Sequence, residues 1–229
     1  MTNKAALASL YPFLHGQARD GAGMDVALAR SIAAKSAESR EANARFFEDQ
    51  AEGLVLAAKA LAAVWRGGGK LMAMGNGGSS CDAAHFTVEF LHPITAGRPA
   101  LPAVNLGADL AMISAVGNDV GFDQVFARQL SAQARRGDGL IGFSTSGNSA
   151  NLIAAFEAGQ RAGLVTFGFA GGDGGRMRSC GFVDHCLVVA TASVHRIQEC
   201  HVAAYHILWD LVHTLLADAR GSGGAGAET

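Results

Sequence analysis

Short apolar runs alternate with helix-forming stretches along the chain from residue 70 onward. Five of these runs are typical of strands: "KLMAMG", "LPAVNLG", "GLIGFSTSG", "LVTFGFAGG" and "HCLVVAT". Strands that are apolar on both faces, with helices between them, are typical of a parallel sheet that is covered on both sides. We therefore predict an α/β fold with a doubly wound sheet of about five strands, whose ligands bind at the carboxyl ends of the strands.

The two ends of the chain differ from this alternating region. Residues 24–66 contain no proline and are rich in alanine, which predicts a pair of helices that break near residues 36–39 and end at "RGGG". Residues 219–229 are rich in glycine and serine, which predicts a flexible tail. The sequence thus divides into an N-terminal extension over 1–23, a single domain over 24–218 that includes the helical pair, and the tail.

Composition excludes several classes of protein. The formal net charge is −2 and no stretch is dense in lysine and arginine, so a nucleic-acid-binding surface is not expected. No apolar run is long enough and free enough of charge to span a bilayer, so no membrane partner is expected. The four cysteines form no CxxC pair, which favours a reducing compartment, and we predict a cytoplasmic protein.

Two stretches at the boundary between a strand and a helix share an unusual composition. They are "GNGGSS" at 75–80 and "STSGNS" at 144–149, each made of glycines, hydroxyl residues and an asparagine. Glycine lets the backbone approach a ligand, and the free N–H groups of a helix N-terminus attract an anion. Neither stretch has a lysine or the GK[ST] ending of a nucleotide loop, so a phosphate on a small metabolite is favoured. The alternative is that the serines only cap helices.

Polar side chains recur on two of the expected helices. His85 and Glu89 are four residues apart and share one helix face. The last helix carries "HRIQECHVAAYH", in which Gln198 and His206 lie about 80° apart around the axis. These side chains could bind one metal ion, could act as an acid and a base, or could form a satisfied polar network between buried helices.

Several motifs together resemble those of the phosphoheptose isomerases, over about residues 24–217. They are "GNGGSSCDAAHFTVEF", "AVGNDVGFDQVFARQL", "GFSTSGNSANLIAAF", "FAGGDGGRM" and "RIQECHVAAYH". These enzymes have a sugar-isomerase (SIS) domain and convert sedoheptulose 7-phosphate to D-glycero-D-manno-heptose 7-phosphate. The resemblance implies a flavodoxin-like five-stranded parallel sheet of the SIS type with N-terminal helices. It also implies a homotetramer with active sites between subunits and one Zn²⁺ per subunit.

The resemblance also implies roles for individual residues. It identifies Glu89 and His206 as the proton-transfer pair. The zinc ligands that it implies are His85, Glu89, Gln198 and His206. The substrate-binding residues that it implies are Asn76, Gly77, Gly78, Ser79, Asp109, Ser144, Thr145, Ser146, Ser149 and Gln198.

Two positions depart from the family pattern and leave alternatives open. Pro93 stands where many members have an arginine, and His195 stands where many have an aspartate. An isomerase of another phosphosugar is therefore one alternative. A non-catalytic SIS protein that binds the replication initiator is another, but such a protein would not require the metal-type residues that are all present here. Buried polar groups are costly to retain without a use, which favours the enzyme.

Overall fold

A computed structural model of the protein describes residues 21–221. The chain divides into two compact units, with the boundary after Ser39. In the first unit, the described residues form the beginning of helix α1 and expose four large apolar side chains, which are Met24, Val26, Leu28 and Ile32. The second unit contains the rest of α1 and all of the sheet.

Helix α1 is a single continuous helix, Gly21–Arg66. The predicted break near residues 36–39 was therefore wrong. Ser36 and Ser39 are poor helix formers, but each costs only about 0.5 kcal/mol relative to alanine, and the surrounding alanines and arginines offset that cost. The segment contains no proline, the residue that would force a break.

Five strands follow α1 along the chain: β1 (Leu71–Gly75), β2 (Ala103–Asn105), β3 (Gly139–Ser144), β4 (Val165–Gly171) and β5 (His185–Val189). The helices between and after them are α2 (Gly78–Leu91), α3 (Leu110–Asp119), α4 (Ala127–Gln133), α5 (Ala150–Ala162), α6 (Gly175–Ser179) and α7 (Val194–Gly221). A 3₁₀ turn, Phe122–Gln124, lies between α3 and α4.

The strands form one parallel sheet in the order β2-β1-β3-β4-β5, which confirms the predicted fold class. The chain leaves β1 towards β2 on one side and then crosses back to β3 on the other side. Connections therefore diverge between β1 and β3, and the crevice at such a switch point is where open α/β sheets bind ligands. The two glycine- and serine-rich stretches follow these two strands.

The core lies in two apolar clusters, one on each face of the sheet. Leu71 and Ala73 of β1 belong to the cluster formed with α1, α2 and α7, whereas Met72 and Met74 belong to the cluster on the opposite face. This alternation follows from the two-residue period of a strand. It explains why β1 is apolar at every position.

Two boundaries differ from the sequence-based expectation. The stretch "FDQVFARQLSAQARR" at 122–136 has an amphipathic pattern that predicts one helix. In the structure α4 ends at Gln133, because the Arg135 N–H donates to Asp138 Oδ2 at 2.9 Å and the chain turns into β3. Helix α7 continues to Gly221, beyond the expected start of the tail at 219. The predicted extension and tail otherwise fall on residues 1–20 and 222–229, outside the described residues. Among residues 21–221, no helix is both long and apolar enough to cross a membrane.

Candidate active site

Two segments at the carboxyl ends of β1 and β3 form the candidate site. We call them loop 1 (75–80), which runs from the end of β1 into the first turn of α2, and loop 2 (144–149), which begins at the last residue of β3. A pair of side-chain amides joins loop 1 to the first turn of α5. Asn76 Nδ2 donates to Asn151 Oδ1 and Asn151 Nδ2 donates to Asn76 Oδ1, each at 2.9 Å. Asn151 is almost fully buried. The two loops are therefore held at a fixed separation by hydrogen bonds as well as by the pairing of β1 with β3.

The hydroxyl groups of loop 2 face one another. Ser144 Oγ lies 3.2 Å from Ser149 Oγ and accepts a hydrogen bond from the backbone N–H of Gly147 at 3.1 Å. Ser149 occupies the N-cap position of α5, yet its side chain makes no capping hydrogen bond. The capping explanation for this serine is therefore not supported, and its hydroxyl points towards the centre of the loop.

Loop 2 is anchored on its other side by the turn that follows β4. Gly147 has φ +65°, and a Cβ there would lie 2.1 Å from the carbonyl oxygen of Gly174, so no other residue fits without moving the backbone. Asn148 Oδ1 accepts a hydrogen bond from the Arg176 N–H at 3.0 Å. These contacts give loop 2 one defined conformation.

Helix α7 brings Gln198 against loop 1. A Cβ at position 78 would lie 2.2 Å from Gln198 Nε2, so the amide is in close contact with the backbone at Gly78. Gly78 is also the first residue of α2, the helix whose N–H groups are exposed at this edge of the sheet. Gln198 therefore lies beside the loop that the sequence predicts to bind a phosphosugar.

Three of the four predicted metal ligands converge where α2 meets α7. His85 Nε2 lies 3.0 Å from Glu89 Oε1, and His206 Nε2 lies 4.0 Å from the same oxygen. One ligand atom from each of the three residues lies within 4.8 Å of the others. The side chains of His85 and His206 are 44% and 45% exposed, so the cluster is open to a small molecule.

This donor set fits a divalent metal ion. Two imidazoles and a carboxylate are ligands that zinc uses in catalytic sites, where donors at about 2.0–2.2 Å from the metal leave a further position open. The exposure of the two histidines leaves room for their side chains to adjust around an ion. Gln198 was predicted as a fourth ligand, and that role remains a prediction.

The surroundings of the cluster are buried and polar. Tyr205 Oη lies 2.6 Å from His85 Nδ1, the ring nitrogen that faces away from Glu89. Burial raises the pKa of Tyr205 above its usual range, and the carboxylates of Asp82 and Glu89 raise it further. Burial also raises the pKa of Asp82 to about 6, an effect that nearby His85 partly opposes.

Comparisons with known proteins show the family to which the chain belongs. The family model for the SIS domain matches residues 36–171, more than half of the chain. The phosphoheptose isomerase of Desulfovibrio desulfuricans is 45% identical over 181 residues, which cover 79% of this chain and 85% of that protein. The structure of the phosphoheptose isomerase from Neisseria gonorrhoeae has a TM-score of 0.76 at 36% identity, covering 82% of this chain and 99% of that chain. The chain belongs to the phosphoheptose isomerase family.

Family membership confirms the resemblance drawn from the sequence motifs. A second solved phosphoheptose isomerase, from Francisella tularensis, has a TM-score of 0.77 at 32% identity and covers 81% of this chain. The phosphoheptose isomerase of Roseiflexus sp. is 42% identical over 172 residues, which cover 75% of this chain and 86% of that protein. The family likeness therefore extends across most of this chain and nearly all of the solved relatives.

Other predicted residues have different surroundings. Asp109 caps α3, where its carboxylate accepts a hydrogen bond from the Met112 N–H at 3.0 Å, so it has a local structural role. Its contact with substrate remains a prediction. Of the two positions that depart from the family pattern, Pro93 directly follows the C-cap residue of α2, and His195 is exposed in the first turn of α7.

Sequence reasoning missed three residues beside the site: Asn151, Asp82 and Tyr205. Asn151 lies two residues after loop 2, and Asp82 lies three residues before His85 on the same helix. Tyr205 directly precedes His206 in the last helix. A helical projection places Asp82 near His85, but only the packing of α7 on α2 brings Tyr205 to His85.

Proposed function

We propose that the protein interconverts sedoheptulose 7-phosphate and D-glycero-D-manno-heptose 7-phosphate, with a zinc ion held at His85, Glu89 and His206 and by Gln198. The observation that carries this proposal is the convergence of His85 and Glu89, on the helix that begins in loop 1, with His206 of α7. A phosphosugar held by its phosphate at the loops would extend its other end towards α7. Membership of the phosphoheptose isomerase family supports the choice of substrate.

The reaction is an aldose–ketose isomerisation, in which a proton moves between two adjacent carbons through an enediol. It requires a base that removes the proton and an acid that returns one. Glu89 is suited to remove the proton because its carboxylate is only 22% exposed and faces the cluster. His206 is suited to return a proton, since its Nε2 lies 4.0 Å from the same carboxylate oxygen. A bound zinc ion would act as a Lewis acid on the substrate oxygens.

The two loops would bind the phosphate. Ser79 in the first turn of α2 and Ser144 at the end of β3 are both buried, and Ser149 faces Ser144. Hydroxyls and the N–H groups at the starts of α2 and α5 together offer several hydrogen bonds to an anion. Ser146 is the remaining residue predicted to bind the phosphate. Thr145 and Asn76 are predicted to lie in the sugar site, and Gly77 is also predicted to bind the substrate. Fixing the distant phosphate orients the reacting carbons and so lowers the entropic part of the barrier.

We also propose that the protein acts as a cytoplasmic homotetramer. Val55 and Leu56, on adjacent positions of α1, are 45% and 56% exposed, and together with Ala51 and Glu52 they line an open apolar depression. An apolar helix surface of this kind is suited to burial against another subunit. Light scattering coupled to gel filtration should give the mass of four chains, and a single-chain mass would refute the assembly.

The non-catalytic alternative is not favoured. Relatives that are between 41% and 46% identical to this chain carry the name phosphoheptose isomerase. An initiator-binding role would not require the metal-type residues, all four of which are present, and three of them, His85, Glu89 and His206, converge. An isomerase of another phosphosugar is also less favoured, because these relatives are named for the heptose.

The direct test replaces Glu89 with glutamine and follows isomerisation of sedoheptulose 7-phosphate by NMR. Glutamine retains an oxygen that can bind the metal but cannot accept the proton, so turnover should fall at least about 100-fold. Zinc content, measured on the same samples, separates loss of the base from loss of the metal. Glu157→Gln is the matched control, since Glu157 pairs with Arg161 on the exposed face of α5. A Glu89→Gln protein that isomerises at the wild-type rate would refute the assignment.

The metal requirement has its own test. Dialysis against a chelator should abolish turnover, and added Zn²⁺ should restore it. His85→Ala should prevent that restoration, because one of the converging ligands is lost. Full activity in the chelated protein would contradict the zinc assignment.

A further inference from the structure

We propose that Tyr205 is a positioning residue that orients the His85 ring for metal binding, with Asp82 as the acceptor for the Tyr205 hydroxyl proton. This inference rests on the proposed function, since it concerns the metal site described above. The Tyr205 hydroxyl lies beside Nδ1 of His85, the ring nitrogen away from Glu89, and Asp82 lies three residues before His85 on α2 with a buried, unpartnered Oδ2 among the described residues. Neither residue belongs to the predicted ligand set.

The two nitrogens of the His85 ring have different neighbours. Nε2 lies 3.0 Å from Glu89 Oε1 and belongs to the cluster, whereas Nδ1 lies 2.6 Å from Tyr205 Oη. A histidine that binds a metal through one nitrogen carries its proton on the other, and a hydrogen bond at that second nitrogen fixes the tautomer. The Tyr205 hydroxyl is the group positioned to make that hydrogen bond.

Tyr205 can fix the orientation of the His85 ring because its own side chain is tightly packed. The side chain is 1% exposed, and its ring packs edge-to-face against Phe86 and Phe143 at 5.7 and 6.0 Å between centroids. Its neighbour His206 supplies a cluster ligand from the same turn of α7. The spacing between two metal ligands is therefore set in part by one rigid aromatic residue.

The direction of the hydrogen bonds identifies the role of Asp82. With a zinc ion bound at Nε2, the imidazole proton would lie on Nδ1, and Nδ1–H would donate to Tyr205 Oη. The hydrogen of the phenol must then point to a different acceptor. Asp82 Oδ2 is buried and has no hydrogen-bond partner among the described residues, and the carboxylate acts electrostatically on both Tyr205 and His85. Asp82 Oδ2 accepts no hydrogen bond from Tyr205 in this structure, and a carboxylate–phenol–imidazole chain that formed on zinc binding would satisfy all three groups without a net transfer of protons.

The test is a Zn²⁺ titration of the full-length protein against a chromophoric chelator. Tyr205→Phe keeps the ring and removes only the hydroxyl, and it should weaken zinc binding by about 10- to 100-fold, as loss of such partners does in other metal sites. Thermal unfolding of the zinc-free proteins measures any purely structural effect, which should be small. Thr87→Val is the matched control, because it removes a different buried hydroxyl, on α2, which donates to the Ala83 carbonyl. The zinc affinity of this variant should equal that of the wild type.

Asp82→Asn tests the second half of the inference. It should weaken zinc binding in the wild-type protein but add little in the Tyr205→Phe protein, because its effect passes through the hydroxyl that is missing there. Equal zinc affinity of Tyr205→Phe and wild type would overturn the inference and leave the proposed function intact. Additive effects of the two substitutions would overturn the role of Asp82. Equal zinc affinity of the His85→Ala variant and the wild type would overturn both the inference and the proposed metal site.

Discussion

Asn76 and Asn151 donate to each other through their side-chain amides, with both hydrogen bonds 2.9 Å long. Asn151 also accepts the Leu152 N–H at 3.0 Å. The pair connects the residue after β1 to the first turn of α5, across the switch point of the sheet. The Asn76 amide is thus bonded to another side chain, and the pair sets the spacing of the two loops.

Breaking this pair should cost stability and substrate affinity together. Asn151→Ala leaves the half-buried Asn76 amide without its partner, and we expect a loss of about 1–3 kcal/mol in the free energy of unfolding. The KM for the phosphosugar should rise because the loops are no longer held together. Denaturant unfolding and steady-state kinetics of Asn151→Ala, Asn76→Ala and the double variant measure the loss of stability and the change in KM. Additive losses in the double variant would show that the two amides do not act as a unit.

The close approach of Gln198 to Gly78 leads to a second prediction. Gly78→Ala would place a Cβ 2.2 Å from Gln198 Nε2, so the flexible amide must move away from loop 1. We expect kcat/KM to fall at least about tenfold while the thermal unfolding temperature changes little, since a misplaced group near the reacting atoms is costly. Gly67→Ala is the control, because a Cβ there would approach no atom closer than 3.4 Å. Equal activity of the two variants would contradict a role for this contact.

A third prediction concerns His201, which is fully buried on α7. Burial lowers the pKa of His201 to about 4, although a hydrogen bond to the Ala170 carbonyl opposes the shift. His201 binds a proton near pH 6.5 in the unfolded chain but only near pH 4 in the folded protein. The free energy of unfolding therefore falls as the pH falls through that window. His201→Gln can keep the hydrogen bond but cannot titrate.

Urea unfolding at two pH values measures this effect. Between about pH 7.5 and about pH 4.5, the wild type should lose about 2–3 kcal/mol more than His201→Gln. The comparison isolates one histidine because all other titrating groups are common to both proteins. Parallel loss of stability in the two proteins would show that His201 does not control the acid sensitivity.

Much of the fold was accessible from the sequence because each strand carries its own signal. The "GLIGFSTSG" run has an apolar strand, a glycine turn and hydroxyls in one stretch, and β3 with loop 2 follows it closely. The adjacency of loops 1 and 2 then follows from the order of a doubly wound sheet. Helix α1 was harder, because exposed serines lower helix propensity locally while the neighbouring residues retain it.

The candidate site was only partly accessible. His85 and Glu89 could be paired from their spacing on one helix, but their approach to His206 depends on how α7 packs on α2. Trp209 Nε1 donates to the Glu89 carbonyl at 2.8 Å and fixes that packing, yet nothing in the local sequence identifies its partner. The contact of Tyr205 with His85 is hidden for the same reason. Tertiary contacts of this kind have no periodic signature.

The most direct test of the central claim is anomalous diffraction at the zinc absorption edge from crystals grown with Zn²⁺. We expect one strong peak per subunit, at about 2.0–2.2 Å from a nitrogen of His85, a nitrogen of His206 and an oxygen of Glu89. A map in which zinc occupies another site, while these three side chains bind none, would contradict the assignment of this cluster as the catalytic centre.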